Sequence, residues 1–447
     1  MPNFPDKILE LEFDKDGKLV HPEQVDAISA AVKASNATDL IVMSHGWNND
    51  MGEARSLYKG LRDHIAAQVP AVPGAAGRTF VVAGVLWPSK KFAESDLIPG
   101  GAAAASDAKA DGIIQKQLDT LEKLIDDKKL KADFEKAKKA AAKMDDDSVE
   151  GKKAQQEFVA IVLSHLPKEL ADHGTEPHAD AMKKFDKTKL LDTLGRPTVD
   201  APAPRRGGGA SIDNPAPAAA KPHGGAAGLG DMFGGIKAGA MNLLNFVTYY
   251  QMKNRAGDIG RGGASAALRT IKAAAPNIRI HLVGHSFGGR LVTAIALGPD
   301  GQGALGVESM SLLQAAYSHY GLGAKQDGIA DGFFRKVVTE KRVSGPVIIT
   351  HTRNDKAVGT AYAMASRVAR QVGAALGDAS DQYGGMGSNG AQHTPESVEE
   401  TLHVPGTAYP FAGGKVYNLL ADKFVSGHSD ITNDPVAYAV VSAIATT

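Results

Sequence analysis

The stretch HLVGHSFGGR, residues 281–290, decides how the rest of the chain is interpreted. Leu282 and Val283 are typical of a buried strand, whereas the residues from Leu291 onward follow helical spacing. Between the two elements, Ser286 has one glycine two residues before it and two glycines shortly after it. The sequence therefore predicts a tight strand–turn–helix junction with Ser286 at its apex.

The glycines have a steric explanation if Ser286 lies on a strained turn. Side chains at Gly284 and Gly288 would collide with neighbouring backbone, so both positions need glycine. Such a turn projects the serine hydroxyl above the sheet and directs the next backbone N–H, that of Phe287, to the same point. His285 is expected to point away from the hydroxyl and to pack. The pattern predicts a nucleophile elbow, with an ordinary turn and a capping serine as the alternative.

Short apolar runs alternate with amphipathic helical segments on either side of this stretch. Apolar runs of this kind are typical of buried strands, and their alternation with helices indicates a parallel sheet. The sequence thus predicts an α/β fold with a mostly parallel central sheet flanked by helices. The predicted strands lie within residues 7–13, 39–47, 79–89, 278–284, 309–318, 345–354 and 415–425.

The alternation is interrupted by a long insertion. Residues 1–94 and 241–447 are predicted to form the two parts of the sheet domain, and residues 95–240 a helical insertion. Within the insertion, residues 133–147 are polar and are expected to be solvated. Residues 196–230 are rich in Pro, Gly and Ala and are expected to form a linker, because they bury too little surface to become ordered. A lid over the site and a partner-binding module are both open interpretations of the insertion.

Composition narrows the classes of function. The chain has 447 residues with 50 basic and 50 acidic side chains, and a formal net charge of zero does not favour capture of nucleic acid. It has no cysteine, which excludes disulfides, thiolate nucleophiles and cysteine-bound metals. Neither a signal peptide nor a membrane span is recognised, so we expect a cytoplasmic protein without stable membrane insertion. We expect no metal, because histidine pairs at metal-binding spacing are lacking.

The GHSFGG motif at residues 284–289, with strands and helices alternating around it, resembles the α/β-hydrolase superfamily, specifically its serine esterases and lipases. The resemblance covers the two alternating blocks and not the insertion. It implies that Ser286 is a nucleophile, that an acid and then a histidine follow it, and that an earlier loop completes an oxyanion hole. It also implies chemistry without a metal or organic cofactor.

The resemblance implies a specific acid and base. Asp355 comes just after an apolar strand, where the acid of the family lies, although a turn-forming Asn-Asp pair is the alternative. The histidines beyond it are His393, His403 and His428. We expect His428 to be the base because it follows a strand-like run and precedes the last predicted helix. The other two lie in a polar segment that is expected to be a surface excursion.

The HGW tripeptide at residues 45–47 is implied to be the oxyanion loop. In this interpretation the backbone N–H of Trp47 is the second donor beside that of Phe287. His45 is expected to orient the loop rather than act as a base. Trp87 and His45 are also candidate substrate-binding residues, with packing at the rim as the alternative for Trp87.

The expected function is hydrolysis of carboxylic esters with short to medium acyl chains, with lipids and polyesters left open as substrates. A thioesterase, an amidase or an acyltransferase would use the same three side chains. A non-catalytic scaffold of the same fold, using the insertion to bind a partner, is the alternative from another class. The intact set of Ser286, Asp355 and His428 favours the enzyme.

Overall fold

The centre of the protein is an eight-stranded sheet in which every neighbouring pair of strands is parallel. The α/β fold class expected from the sequence is therefore confirmed. The computed structural model describes residues 4–47, 49–89, 107–125, 127, 130–144, 148–166, 185–195, 235–326, 330–355 and 384–447. The strands are β1 (Leu9–Glu12), β2 (Asp39–Ser44), β3 (Phe80–Leu86), β4 (Arg279–His285), β5 (Val307–Leu313), β6 (Val347–His351), β7 (Ser397–Thr401) and β8 (Val416–Leu420). They lie in the order β1-β3-β2-β4-β5-β6-β8-β7.

The helices of the described residues fall into two groups, those that cover the sheet and those of the insertion. They are α1 (Glu23–Ala34), α2 (Met51–Gln68), α3 (Asp107–Ile125), α4 (Lys131–Ala141), α5 (Val149–Ser164), α6 (Lys187–Gly195), α7 (Gly235–Ile259), α8 (Ser265–Ala274), α9 (Phe287–Leu297), α10 (Arg335–Thr339), α11 (Met386–Asn389) and α12 (Asp434–Ala445). A π-helical turn, Gly260–Ala264, joins α7 to α8. None of the helices in this part of the chain combines the length and the apolarity that a membrane-spanning segment needs.

Helices pack on both faces of the sheet, as the continuous apolar strands require. In β2, Leu40 and Val42 belong to one buried cluster, which includes residues of α1, α8 and α9. The alternate residues Ile41 and Met43 belong to the other cluster, with residues of α2 and α12. Because side chains alternate along a strand, this uninterrupted run fills two cores at once.

The parallel arrangement brings the carboxyl ends of the strands to one edge, where ligands bind in open α/β sheets. β4 ends at His285, directly before Ser286, and β2 ends directly before His45. β6 and β8 end a few residues before Asp355 and His428, respectively. The predicted site residues thus all lie at this one edge of the sheet, each after a strand.

Helix α2 begins immediately behind the loop at residues 45–47, and a capping box fixes its first turn. The Asp50 carboxylate accepts from the backbone N–H of Glu53 at 2.8 Å, and the Glu53 carboxylate accepts from that of Asp50 at 2.6 Å. These reciprocal bonds satisfy amides that the start of a helix leaves without partners. The loop is therefore held between the end of a strand and a fixed helix start.

The helices of the insertion have a hydrophobic core of their own. Helices α3 to α6 pack together with the first part of α7. The expectation that residues 133–147 are solvated is wrong for one face of α4, because its apolar side chains are spaced to point into this core. The buried residues of this segment are Phe134, Ala137, Ala140, Ala141 and Met144. The predicted linker at residues 196–230 lies outside the described residues.

Helix α7 belongs to both parts of the molecule. Tyr250 lies in the core of the insertion, whereas Met252, Ala256 and Ile259 lie in the core beside the sheet. This 25-residue helix runs without interruption through the boundary that the sequence placed between residues 240 and 241. The insertion is therefore attached to the sheet domain by a continuous helix, and its role as a lid or a partner-binding module stays a prediction.

The polar segment at residues 384–406 contains regular structure that the sequence did not indicate. It includes α11 and the edge strand β7, which pairs in parallel with β8. The expectation of a surface excursion is wrong here because β7 is held by backbone hydrogen bonds along its single neighbour. An edge strand covers little apolar surface, so its side chains carry a weak pattern.

Candidate active site

Ser286 has the strained backbone expected of a nucleophile elbow. Its φ is +56° and its ψ is −124°, a region that residues other than glycine rarely adopt. The Ser286 N–H donates to the carbonyl of Leu313 at 3.1 Å. The Ser286 carbonyl accepts from Gly289 at 3.0 Å and from Ala316 at 3.1 Å. Bonds to β5, to the loop that follows it and to α9 together hold the serine in this conformation.

The glycines around Ser286 lie where no side chain fits. A Cβ atom at Gly284 would lie 2.3 Å from the Gly288 carbonyl oxygen, and one at Gly288 would lie 2.1 Å from that of Ser44. A Cβ atom at Gly289 would lie 2.7 Å from the Cβ of Ala315. Real Cβ atoms do not approach other atoms so closely, so the collisions expected from the sequence are present in the fold.

The structure brings Ser286, His428 and Asp355 into one hydrogen-bonded chain. His428 Nε2 lies 2.8 Å from Ser286 Oγ, and His428 Nδ1 lies 2.8 Å from Asp355 Oδ2. Ser286 and Asp355 are 5 % and 2 % exposed, whereas the His428 side chain is 20 % exposed. In this arrangement the imidazole can accept the hydroxyl proton while its other nitrogen donates to the carboxylate.

The two competing histidines lie elsewhere. His403 Nε2 lies 3.3 Å from Glu400 Oε1, and the ring of His393 lies beside that of Tyr320. Neither is in contact with Ser286 in the described contacts. The choice of His428 from its place after a strand thus agrees with the geometry.

Asp422, which was not identified from the sequence, connects the loop that carries His428 to the loop that carries Asp355. Its Oδ1 accepts from the Thr352 hydroxyl at 2.8 Å and from the Arg353 N–H at 3.0 Å. Its Oδ2 accepts from Arg353 Nε at 2.9 Å and Nη2 at 2.7 Å. Burial opposes ionisation of Asp422, but these bonds outweigh it and hold its pKa below the ordinary value. The position of Asp422 after β8 resembles that of Asp355 after β6.

Gln314 is a second residue that the sequence analysis missed. It follows β5 and has a φ of +48°. With the nitrogen of its amide facing the acceptors, it donates to Asp355 Oδ2 at 3.3 Å and to the Gly387 carbonyl at 2.7 Å. The carboxylate therefore has a fixed neighbour besides His428, which restrains its orientation.

His285 packs, as expected, and its neighbour is His428. Its ring centroid lies 4.9 Å from that of His428, and its Nε2 donates to the His428 backbone carbonyl at 2.9 Å. Burial, with His428 nearby, lowers the pKa of His285 to about 3, so its ring is neutral at physiological pH. His285, which directly precedes Ser286, therefore helps to hold His428 in place.

The loop at residues 45–47 lies directly against the serine. A Cβ atom at Gly46 would lie 2.5 Å from Ser286 Cβ and 3.0 Å from Ser286 Oγ. Phe287 is the first residue of α9, and the first amides of a helix have no partner within it. The rings of Trp47 and Phe287 are 5.9 Å apart. The donor roles of these two backbone N–H groups stay predictions.

His45 and Trp87 support this loop from beneath. The rings stack at 5.4 Å with an angle of 13° between their planes, and both side chains are fully buried. His45 Nδ1 bonds the Gly46 carbonyl at 2.9 Å, and the Trp87 indole N–H donates to the His45 carbonyl at 3.1 Å. Burial lowers the pKa of His45 to about 4. Both side chains pack within the protein beside the loop, and their role in substrate binding stays a prediction.

Helix α7 also reaches the site. The ring of Tyr249 lies 4.9 Å from that of Phe287 and 6.1 Å from that of Trp47. The contacts of Tyr249 were not predicted from the sequence, because the residue lies 38 residues from Phe287 and about 200 from Trp47.

Comparison of the chain with protein-family models, with curated proteins and with solved structures found no match. The class of the protein follows from the fold itself, which is an α/β fold with a parallel sheet and helices on both faces. This architecture is compatible with an α/β hydrolase.

Proposed function

We propose that the chain is a serine hydrolase of the α/β-hydrolase type that cleaves carboxylic esters through an acyl-serine intermediate. The observation that carries the proposal is the hydrogen-bonded chain from Ser286 through His428 to Asp355, with both contacts at 2.8 Å. The strained backbone of Ser286 supports it, because strain of this kind clusters at functional sites.

In the proposed acylation, Ser286 Oγ attacks the acyl carbon while His428 Nε2 takes the hydroxyl proton. The carbonyl electron pair moves onto oxygen and gives a tetrahedral oxyanion. The N–H groups of Phe287 and Trp47 stabilise this charge, and each such donor lowers a barrier by about 2.7–4 kcal/mol. Asp355 stabilises the imidazolium. The oxyanion then collapses, the C–O bond breaks, and His428 returns its proton to the departing alcohol.

In the proposed deacylation, water takes the place of the alcohol. His428 removes a proton from the water as its oxygen attacks the acyl carbon, and the second tetrahedral intermediate forms. Collapse releases the carboxylic acid, and His428 returns the proton to Ser286 Oγ. Esters are favoured over amides because an alcohol leaves with less need of protonation than an amine.

Labelling with a fluorophosphonate tests the nucleophile directly, since the reagent phosphonylates an activated serine. We expect one labelled residue in the wild type and none in Ser286→Ala. Ser56→Ala is the matched control, because Ser56 lies in α2 and only bonds the Gly52 carbonyl of its own helix. Labelling that persists in Ser286→Ala, or that fails in the folded wild type, overturns the proposal.

The substrate class is tested with p-nitrophenyl esters of graded chain length beside a thioester and an anilide. We expect kcat/KM to be highest for an ester and lowest for the anilide. Preference for the thioester or the anilide would assign a thioesterase or an amidase and overturn the ester assignment. The chain-length profile separates an esterase from a lipase.

A further inference from the structure

We infer that Tyr249 is a positioning residue that holds the oxyanion loop in place and couples it to the insertion. This inference rests on the proposed function. The rings of Tyr249, Trp47 and Phe287 form a closed triangle in which every pair is in contact. The centroid distances are 6.1 Å for Tyr249–Trp47, 4.9 Å for Tyr249–Phe287 and 5.9 Å for Trp47–Phe287.

Two of these rings belong to the residues whose backbone N–H groups would face the oxyanion. Phe287 is 1 % exposed and is held by α9, so its position follows from the helix. Trp47 lies on a loop directly after Gly46, and a glycine restricts the backbone least of all residues. Ring packing adds to the bonds that hold this loop at His45 and Gly46, and the rings of Tyr249 and Trp47 meet in a T-shaped contact with 78° between their planes.

Tyr249 is itself fixed by both cores that α7 joins. The next residue, Tyr250, is 2 % exposed in the core of the insertion, and its ring lies 5.5 Å from that of Tyr249. One turn further on, Met252 is buried beside the sheet. The ring that packs on the oxyanion loop thus stands at the junction of the insertion and the sheet domain.

The hydroxyl of Tyr249 points to the elbow. It lies 3.5 Å from the carbonyl of Ala316, and the N–H of Ala316 donates to the carbonyl of Ser286 at 3.1 Å. At 3.5 Å this hydroxyl bond is weak, so the inference is carried by the ring contacts.

Three variants test this role. In Tyr249→Ala we expect kcat per labelled site to fall about 10- to 100-fold with little change in KM, because misplaced donors weaken only the transition state. In Tyr249→Phe, which keeps the ring, we expect kcat within about threefold of the wild type. Phe134→Ala is the control, since Phe134 is buried in the core of the insertion on α4 and its ring stacks on that of His165, not on the ring of Tyr249 or Tyr250 in the described contacts. It should lower stability and leave kcat per site unchanged.

The wavelength of maximum tryptophan fluorescence gives a second measurement, which does not change when a folded variant is only less stable. The chain has two tryptophans, and Trp87 is fully buried beneath the loop. A shift of the emission maximum to longer wavelength in Tyr249→Ala, absent in Phe134→Ala, would report exposure of Trp47. If Tyr249→Ala does not fold, Tyr249→Leu takes its place, because leucine keeps apolar volume without the ring.

The outcomes separate the inference from the proposed function. Unchanged kcat per site in Tyr249→Ala, or a loss in Tyr249→Phe as large as in Tyr249→Ala, overturns the inference while wild-type labelling at Ser286 leaves the proposed function intact. A wild type that neither reacts with the fluorophosphonate nor hydrolyses any ester overturns the proposed function itself.

Discussion

A methyl group on Gly46 would come within 2.5 Å of Ser286 Cβ and within 3.0 Å of Ser286 Oγ. The loop at residues 45–47 and Ser286 are therefore in contact, with no room for even the smallest side chain between them. Any displacement of the loop changes the space in which an acyl group would lie over the serine.

Gly46→Ala should therefore lower kcat by about 100-fold or more, because the loop must move away from Ser286 and carry its donors with it. We also expect overpacking to cost about 1–3 kcal/mol of the free energy of unfolding. Steady-state kinetics and denaturant titration measure the two effects. Gly77→Ala is the control, since a Cβ atom there would meet nothing within 4 Å. Wild-type kcat in Gly46→Ala would contradict the role of the loop.

Asp355→Asn should lower kcat by about 10⁴-fold, because an amide that donates to His428 Nδ1 holds the imidazole in the wrong tautomer. Wild-type and variant rates with one p-nitrophenyl ester provide the measurement. Asp63→Asn is a control of the same chemistry in α2, where the carboxylate pairs with Lys59 on the surface. A loss smaller than tenfold at Asp355 would mean that another group supports the imidazole.

Asp422→Ala should loosen the loop that carries Asp355. It removes bonds from Thr352 and Arg353 to a partly buried carboxylate, and hydrogen bonds to charged groups contribute about 1.5–3 kcal/mol each. We expect a lower free energy of unfolding and a reduced kcat. Arg353→Ala should have little effect, because the Arg353 side chain is 80 % exposed and exposed ion pairs contribute little. Equal losses in both variants would show that the surface ion pair, not the loop bonds, is responsible.

The pH dependence of stability should reveal the buried neutral histidines. Burial lowers the pKa of His45 to about 4 and that of His285 to about 3, against about 6.5 in an unfolded chain. Below pH 6.5 the unfolded state binds more protons than the folded state, so the free energy of unfolding falls as the pH falls. Each histidine contributes a slope of up to about 1.4 kcal/mol per pH unit, down to its folded pKa.

Denaturant titrations between pH 7.5 and pH 4.5 would measure this slope. His285→Gln removes one titrating group, so the slope should become shallower by up to about 1.4 kcal/mol per pH unit. A stability that does not change between these pH values, or a slope that His285→Gln leaves as steep as before, would contradict neutral burial.

The sequence was sufficient to predict features that depend on nearby residues or on an adjoining strand. The glycines around Ser286 are required by atoms a few residues away or on the adjoining strand, and buried parallel strands carry continuous apolar runs. The proximity of Asp355 and His428 to Ser286 could be predicted because parallel strands bring their carboxyl ends to a common edge, and both residues follow a strand.

Features that depend on strand order and on helix placement could not be predicted. His285 contacts the backbone of His428 only because β4 and β8 end at the same edge, more than 140 residues apart in sequence. Tyr249 reaches Trp47 across about 200 residues, and no pattern within α7 indicates this contact. The edge strand β7 could not be predicted either, since backbone pairing with one neighbour requires no particular side chains.

Because α7 is continuous, the orientation of the insertion about the helix axis depends on the number of residues between Gly235 and Tyr249. Each residue added to an α-helix rotates the helical segment before it, and the side chains packed on that segment, by about 100° relative to the helical segment after it. One extra residue between Gly235 and Tyr249 would thus swing the insertion around the helix axis, whereas seven extra residues, close to two full turns, would nearly restore its direction and move it about 10 Å outward. Exchange of the insertion between proteins of this architecture would have to respect this helical phase.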